Sequence, residues 1–192
     1  RTDYGEKEVA SFREQVRMFL VPLCQKLYDA QAKRLGIDHV MWHDEKMVFP
    51  DGNAEPAGDD AFMVKTAQKM YHEISPETGE FIDFMIDHEL MDLQNKPGKA
   101  STGYMTSLPS LKAPFVFSCF NHTIFDMQVL THELGHAFAG YMAMRSQPIS
   151  DYYSESTDIA EIHSMSMEQF AYPYAEWFFG NQADKFRFAH LQ

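Results

Sequence analysis

The chain has 192 residues, 45% of them hydrophobic and 14% aromatic, enough to bury a core in one domain or a tight pair and too much for a chain that stays disordered. With 28 Asp and Glu against 16 Lys and Arg the formal net charge is −12, which excludes an electrostatic nucleic-acid binder and disfavours anionic membrane surfaces, since both need clustered Lys and Arg. No run approaches the roughly 18 consecutive apolar residues of a membrane span; the densest, Val16 to Cys24, is interrupted by Arg17 and Pro22.

Apolar positions from Val9 through Phe12, Val16, Phe19, Leu20, Leu23 and Leu27 to Ala30 recur at three- and four-residue steps, predicting an amphipathic helix over Glu6 to Leu35 with Gly36 as its C-cap and a kink at Pro22. Met41 to Pro56, with Pro50-Asp51-Gly52 as a turn signal, reads as a short strand or hairpin. Helices follow over Asp59 to Ile74 and Pro76 to Leu93. After the break at Lys96 to Lys99, two extended runs, Gly103 to Pro109 and Ala113 to Phe120, make the best hairpin in the sequence. Asn121 or Thr123 caps a helix to Arg145, with Asp126 completing a capping box. Beyond a loop around Pro148, a helix starts near Ser154 to Thr157 and runs to Ala171. A last helical stretch runs from Tyr174 to the end, broken at Gly180-Asn181.

Two cysteines, Cys24 and Cys119, without CxxC spacing, point to buried thiols and a reducing, cytoplasmic setting. The chain starts at Arg1 with no signal-peptide pattern and reads as an internal piece of a longer chain.

The chemistry lies in His132-Glu133-Leu134-Gly135-His136. On a helix His132 and His136 share a face and can offer two imidazoles to one ion, while Glu133, about 100° round, can reach a water on that ion as a general base. The surrounding Phe125, Val129, Leu130, Ala137, Phe138 and Tyr141 make this helix apolar over most of its circumference, so its histidines need partners. Gly135 costs about 1 kcal/mol in a helix interior and implies something packed against the backbone there. A catalytic zinc takes three protein ligands plus water, and the candidate third ligand is Glu161, on a second helix whose face also carries Ser164 and Glu168. The seven other histidines have no ligand-like spacing to the motif.

The stretch KPGKASTGYMTSLPSLKAPFVFSCFNHTIFDMQVLTHELGHAFAGY, followed by DIAEIHSMSMEQF, resembles the oligoendopeptidase F family of thimet-oligopeptidase-like zinc metallopeptidases, and VPLCQKLYDAQAKRLGID extends the similarity over nearly the whole chain. The resemblance implies a mainly helical (α+β) zincin-type core with a small antiparallel β element beside the metal-binding helix. It further implies one Zn2+ held by His132, His136 and Glu161, Glu133 as general base, and Glu168 orienting a ligand. The implied activity is endopeptidase cleavage of short oligopeptides by the zinc-bearing portion of a longer enzyme. Residues 1–95 are expected to form a helical part with a short hairpin, and 96–192 a hairpin plus the zinc-site helices. Oxyanion-stabilising side chains are expected beyond Gln192, and Tyr152 and Tyr153 are given no role. Two other readings share the same metal clip: a silent zinc- or peptide-binding module, against which the retention of Glu133 weighs, and a zinc aminopeptidase, for which no amine-capturing motif is evident.

Overall fold

The computed structural model describes residues 4–153 and 156–191. Arg1, Gln192 and Ser154, on which the expected chain ends and one helix start fall, lie outside them. The chain divides into two units, Arg1–Asn53 with Phe188–Gln192, and Ala54–Arg187.

In the first unit α1 (Glu6–Gln15) and α2 (Val21–Leu35) are joined by a π-helical turn over Val16–Leu20. Pro22 has no N–H and its ring opposes the carbonyl four residues back, so the ladder is rearranged one turn earlier, where the Val21 N–H donates to the Val16 carbonyl. The expected kink is thus a π-turn. The predicted apolar stripe is largely uncovered: Phe12, Phe19, Leu20 and Leu23 are exposed, and only Gln31 and Ala32 of α2 are buried. Cys24 is exposed and Cys119 half-buried, against the expectation of two buried thiols. Cys119 points away from the covered face of its strand, whereas Cys24 lies on the same side of its helix as Gln31, at a level where that side is uncovered.

Met41 to Pro56 forms turns and irregular chain rather than a strand or hairpin. Its carbonyls are taken by α2 side chains, the Gln31 amide donating to Asp44, Glu45 and Met47 at 2.7–3.2 Å and Arg34 Nε to Val48 at 2.7 Å. A ladder would need those acceptors.

The second unit begins with α3 (Asp60–Ile74), whose Asp59 cap accepts from the Phe62 N–H, and α4 (Pro76–Asp87), capped by Ser75. The sequence predicts α4 to continue to Leu93, but it stops at Asp87. Glu89 turns the chain at φ 53°, and Met91–Gln94 forms β1. β2 (Tyr104–Leu108) and β3 (Ala113–Phe120) make the predicted antiparallel hairpin, with Tyr104 opposite Phe117 and Leu108 opposite Ala113. β1 adds in parallel to the other side of β3, so the sheet is mixed, in the order β1-β3-β2, rather than purely antiparallel. A four-residue strand straight after a helix carries too few residues to switch the apparent period, which is why it reads as helix.

α5 (Ile124–Ser146) starts at the Thr123 capping box. Asp126 completes it and also accepts from the N–H groups of Asn121 and His122 at 3.1 and 2.7 Å. Burial, the larger effect, pushes its carboxyl above the usual range, and these hydrogen bonds oppose that. α6 (Thr157–Ala171), α7 (Ala175–Phe179) and α8 (Ala183–His190) follow, the last two separated by Gly180 at φ 55°. α5 packs on β2 and β3, buries Ile124, Met127, Leu130 and Leu134, and meets α4 through Phe81, whose ring lies 5.3 and 5.4 Å from those of Phe138 and Tyr141. Its remaining side meets α6 at Gly135, where a Cβ would lie 2.7 Å from Ser164 Cα and 3.0 Å from the His163 carbonyl.

Two substitutions test this framework by chemical denaturation. Gly135→Ala gains up to about 1 kcal/mol of helix propensity but forces α6 outward at an overpacking cost of about 1–3 kcal/mol, so a net loss is expected; a stabilised variant would show that contact with α6 does not fix the glycine. Asp126→Ala orphans the N–H groups at the start of α5 and is expected to cost about 1–3 kcal/mol.

Candidate metal centre

The two histidines of α5 point the same way because they are one turn apart, with ring centroids 4.9 Å apart at 82°. α6 runs close enough, across Gly135, for Glu161 to reach them: its Oε2 lies 3.2 Å from His132 Nε2 and 3.6 Å from His136 Nε2. One ligand atom from each of His132, His136 and Glu161 falls within 4.8 Å of the others, the only such group of three His, Cys, Asp or Glu among the described residues. Two imidazoles and a carboxylate in that space are the donor set of a catalytic zinc site with one position left open.

The ligands are themselves held. Glu168, two turns along α6 from Glu161, accepts from His132 Nδ1 at 2.7 Å. A proton on Nδ1 leaves the Nε2 lone pair free to face the other two groups. That hydrogen bond is the chief reason the His132 pKa is raised, whereas burial lowers that of His136. Ser164 donates to Glu161 Oε2 at 2.9 Å, fixing the carboxylate rotamer. Gly135, where the two helices meet, thus faces Ser164, the residue that holds Glu161.

Glu133 sits apart from this trio, 8% exposed, on the side of α5 that faces β2. Burial is the main influence on its carboxyl and raises its pKa; His132 and the Met105 backbone N–H pull it down, and Glu161 pushes it up. β2 can come this close because residue 103 has no side chain: a Cβ there would meet Val129 Cγ1 at 2.9 Å and Glu133 Oε1 at 3.3 Å.

The structure thus brings together all five residues singled out from the sequence, His132, Glu133, His136, Glu161 and Glu168. It also gives a contact to Ser164, which the sequence places on the same face as Glu161, and brings in Gly103 and the Met105 amide. Ser164 was visible on the polar stripe of α6, but nothing marked its hydroxyl as a partner of Glu161. Gly103, opening a strand opposite the motif helix, carried a signal for close backbone approach of the kind that Gly135 gave.

Comparison with known proteins fits this geometry. Residues 14–187 match the model of Peptidase family M3. The whole chain superposes with a TM-score of 0.96 on a Pz peptidase A solved with an inhibitor, at 48% identity, and on a protein provisionally assigned as oligoendopeptidase F, at 49%. A similarly assigned protein from Bacillus anthracis gives 0.96 at 45%. The chain spans about a third of each, 34%, 34% and 35%. No curated protein matches. With the family model covering most of its length, and relatives near half identity carrying the same fold, the chain belongs to peptidase family M3.

Proposed function

We propose that the chain is the zinc-bearing part of a longer endopeptidase that hydrolyses short oligopeptides. The observation that carries this reading is the convergence of His132, His136 and Glu161 on one point, with a buried carboxylate, Glu133, beside them and outside the ligand set. A site that only stored a metal would have no use for that fourth group. Zinc held by the three ligands would supply a Lewis acid, lowering the pKa of an attacking water toward about 7 and polarising the scissile carbonyl.

The protein's own part is positioning and proton transfer. Glu168 holds the His132 ring and Ser164 the Glu161 carboxylate. Glu133 takes a proton from the attacking water as the C–O bond forms and gives it to the leaving amine as the C–N bond breaks. Its burial favours this role, because a carboxyl with a raised pKa shares a proton with water more evenly than an exposed one. β2 is an edge strand with one side unpaired, and an extended substrate backbone can add to it beside Glu133. A cytoplasmic location belongs to the same proposal and is supported by two cysteines, both free.

Glu133→Gln is expected to keep its metal and lose about 10²- to 10⁴-fold in peptide hydrolysis; wild-type turnover with full metal content overturns the general-base role. Glu168→Gln is expected to weaken zinc binding about 10- to 100-fold, read by competition with a chromogenic chelator. Unchanged affinity would mean that the His132 ring needs no such support.

A further inference from the structure

One turn before Glu133 on α5, the structure has a recess of about 230 Å³ that the catalytic scheme leaves unused. It is lined by Thr102, Gly103, Ser118, Asn121, Phe125 and Val129, among others. Its origin lies in the sheet register. Tyr104 pairs with Phe117, so Gly103 stands at the position opposite Ser118, but β2 begins only at Tyr104. The recess lies between residues 101–103 and the end of β3, over the first turns of α5. Gly103 and Val129 form both the wall of this recess and the contact surface of Glu133. A peptide laid along the free edge of β2 beside Glu133 runs within one turn of α5 of the recess, with Gly103, which has no side chain, between them, and alternate side chains of an extended strand point toward the same face.

The recess is smaller than the 300 Å³ or more of a pocket for a free small molecule and suits one side chain. Its chemistry is polar but uncharged. Asp126 lines it, yet its carboxylate is engaged by the N–H groups of Asn121, His122 and Thr123. The Asn121 side-chain carbonyl accepts from Thr123, and the Cys119 thiol donates to the Ala100 carbonyl. Ser118 differs. It is 3% exposed, lies on the inward face of β3 between Val116 and Phe120, and its hydroxyl has no hydrogen-bond partner among the described residues. The hydroxyl itself is not sealed from solvent: it opens onto the recess, where a donor or acceptor on an incoming side chain can pair with it.

We propose that this recess is a substrate side-chain subsite, that it takes a small hydrogen-bonding side chain such as serine, threonine or asparagine, and that Ser118 is the residue that selects it. The proposal rests on the peptidase reading above. A basic side chain is disfavoured because the one carboxylate present is already occupied, and a large aliphatic one because it would bury the Ser118 hydroxyl unpaired.

The test uses the full-length, zinc-loaded enzyme and a panel of blocked peptides in which each position in turn is Gly, Ser, Asn, Leu or 2-aminobutyrate, the last matching serine in size without its hydroxyl. At one position, wild-type kcat/KM for Ser is expected to exceed that for 2-aminobutyrate about three- to tenfold. Ser118→Ala is expected to abolish that ratio while leaving the other positions unchanged. Ser118→Val, which fills the recess, is expected to lower kcat/KM for every residue larger than Gly at that same position and to spare Gly. If this variant does not fold, the alanine variant carries the test alone. A wild-type panel with no Ser preference at any position overturns the subsite, as does a Ser118→Ala profile that is unchanged or lowered evenly. A wild-type enzyme that cleaves none of the peptides overturns the peptidase reading itself.

Discussion

The contact on which the site depends is between two backbones. α5 and α6 meet where Gly135 has no side chain, and a single methyl group there would fall 2.7 Å from the Cα of Ser164. The clustered side chains are carried on either side of this point: His132 and His136 flank the glycine on one helix, and Glu161 and Glu168 flank Ser164 on the other. Side chains of three or four bonds can bring their ends within 3.2–3.6 Å of one another only if the helix axes are already close. A glycine whose helix propensity is about 1 kcal/mol worse than that of alanine is thus a condition of the geometry that clusters His132, His136 and Glu161 rather than a defect in the helix.

A second close approach, at Gly103, has a different consequence. It brings β2 over Glu133, removes that carboxylate from water and sets the Met105 N–H against it. The two glycines therefore divide α5 into two working faces. One is pressed against a helix and carries the two histidines; the other is pressed against a strand and carries Glu133. Because His132 and Glu133 are adjacent residues, about 100° apart around the helix, one element serves both faces without any loop between them. Packing on both sides leaves little freedom for either group.

Much of this was legible in the sequence, and the limits of legibility are physical. The His-Glu-x-x-His spacing is a helix-period signal reporting directly on which side chains share a face, and Gly135 announced a close neighbour without saying which. Glu161 could be singled out as a third arm because a helix, a loop and a return fit between it and His136. β1 could not be read, because four residues after a helix do not change the period, and its parallel partner lies more than twenty residues further on. The Met41 to Pro56 segment was misread for a related reason. Turn signals there are real, but the carbonyls that a hairpin would use are satisfied by Gln31 and Arg34, 13–16 residues earlier in the chain than the carbonyls they bond. Hydrogen bonds from side chains over such distances leave no local trace.

α6 shows why burial cannot be inferred from amphipathicity alone. It has two clear faces, as a helix on a soluble core should, but they are reversed. Glu161, Ser164 and Glu168 look inward to the metal centre, while Ile159, Ile162, Met165 and Phe170 are 44–59% exposed. The reversal is stable only because the inward polar atoms are paired, with Glu168 on His132 and Ser164 on Glu161, so that little desolvation goes uncompensated. Among the described residues the outward apolar face has no such compensation. It matches the uncovered stripe on α1 and α2, and both belong to a chain spanning only about a third of the solved proteins it resembles. Had the polar face of α6 been taken for its solvent side, the two helices would have been turned apart and the third ligand lost. It is the His-Glu-x-x-His motif, by requiring a carboxylate partner, that identifies which face of α6 is the inside.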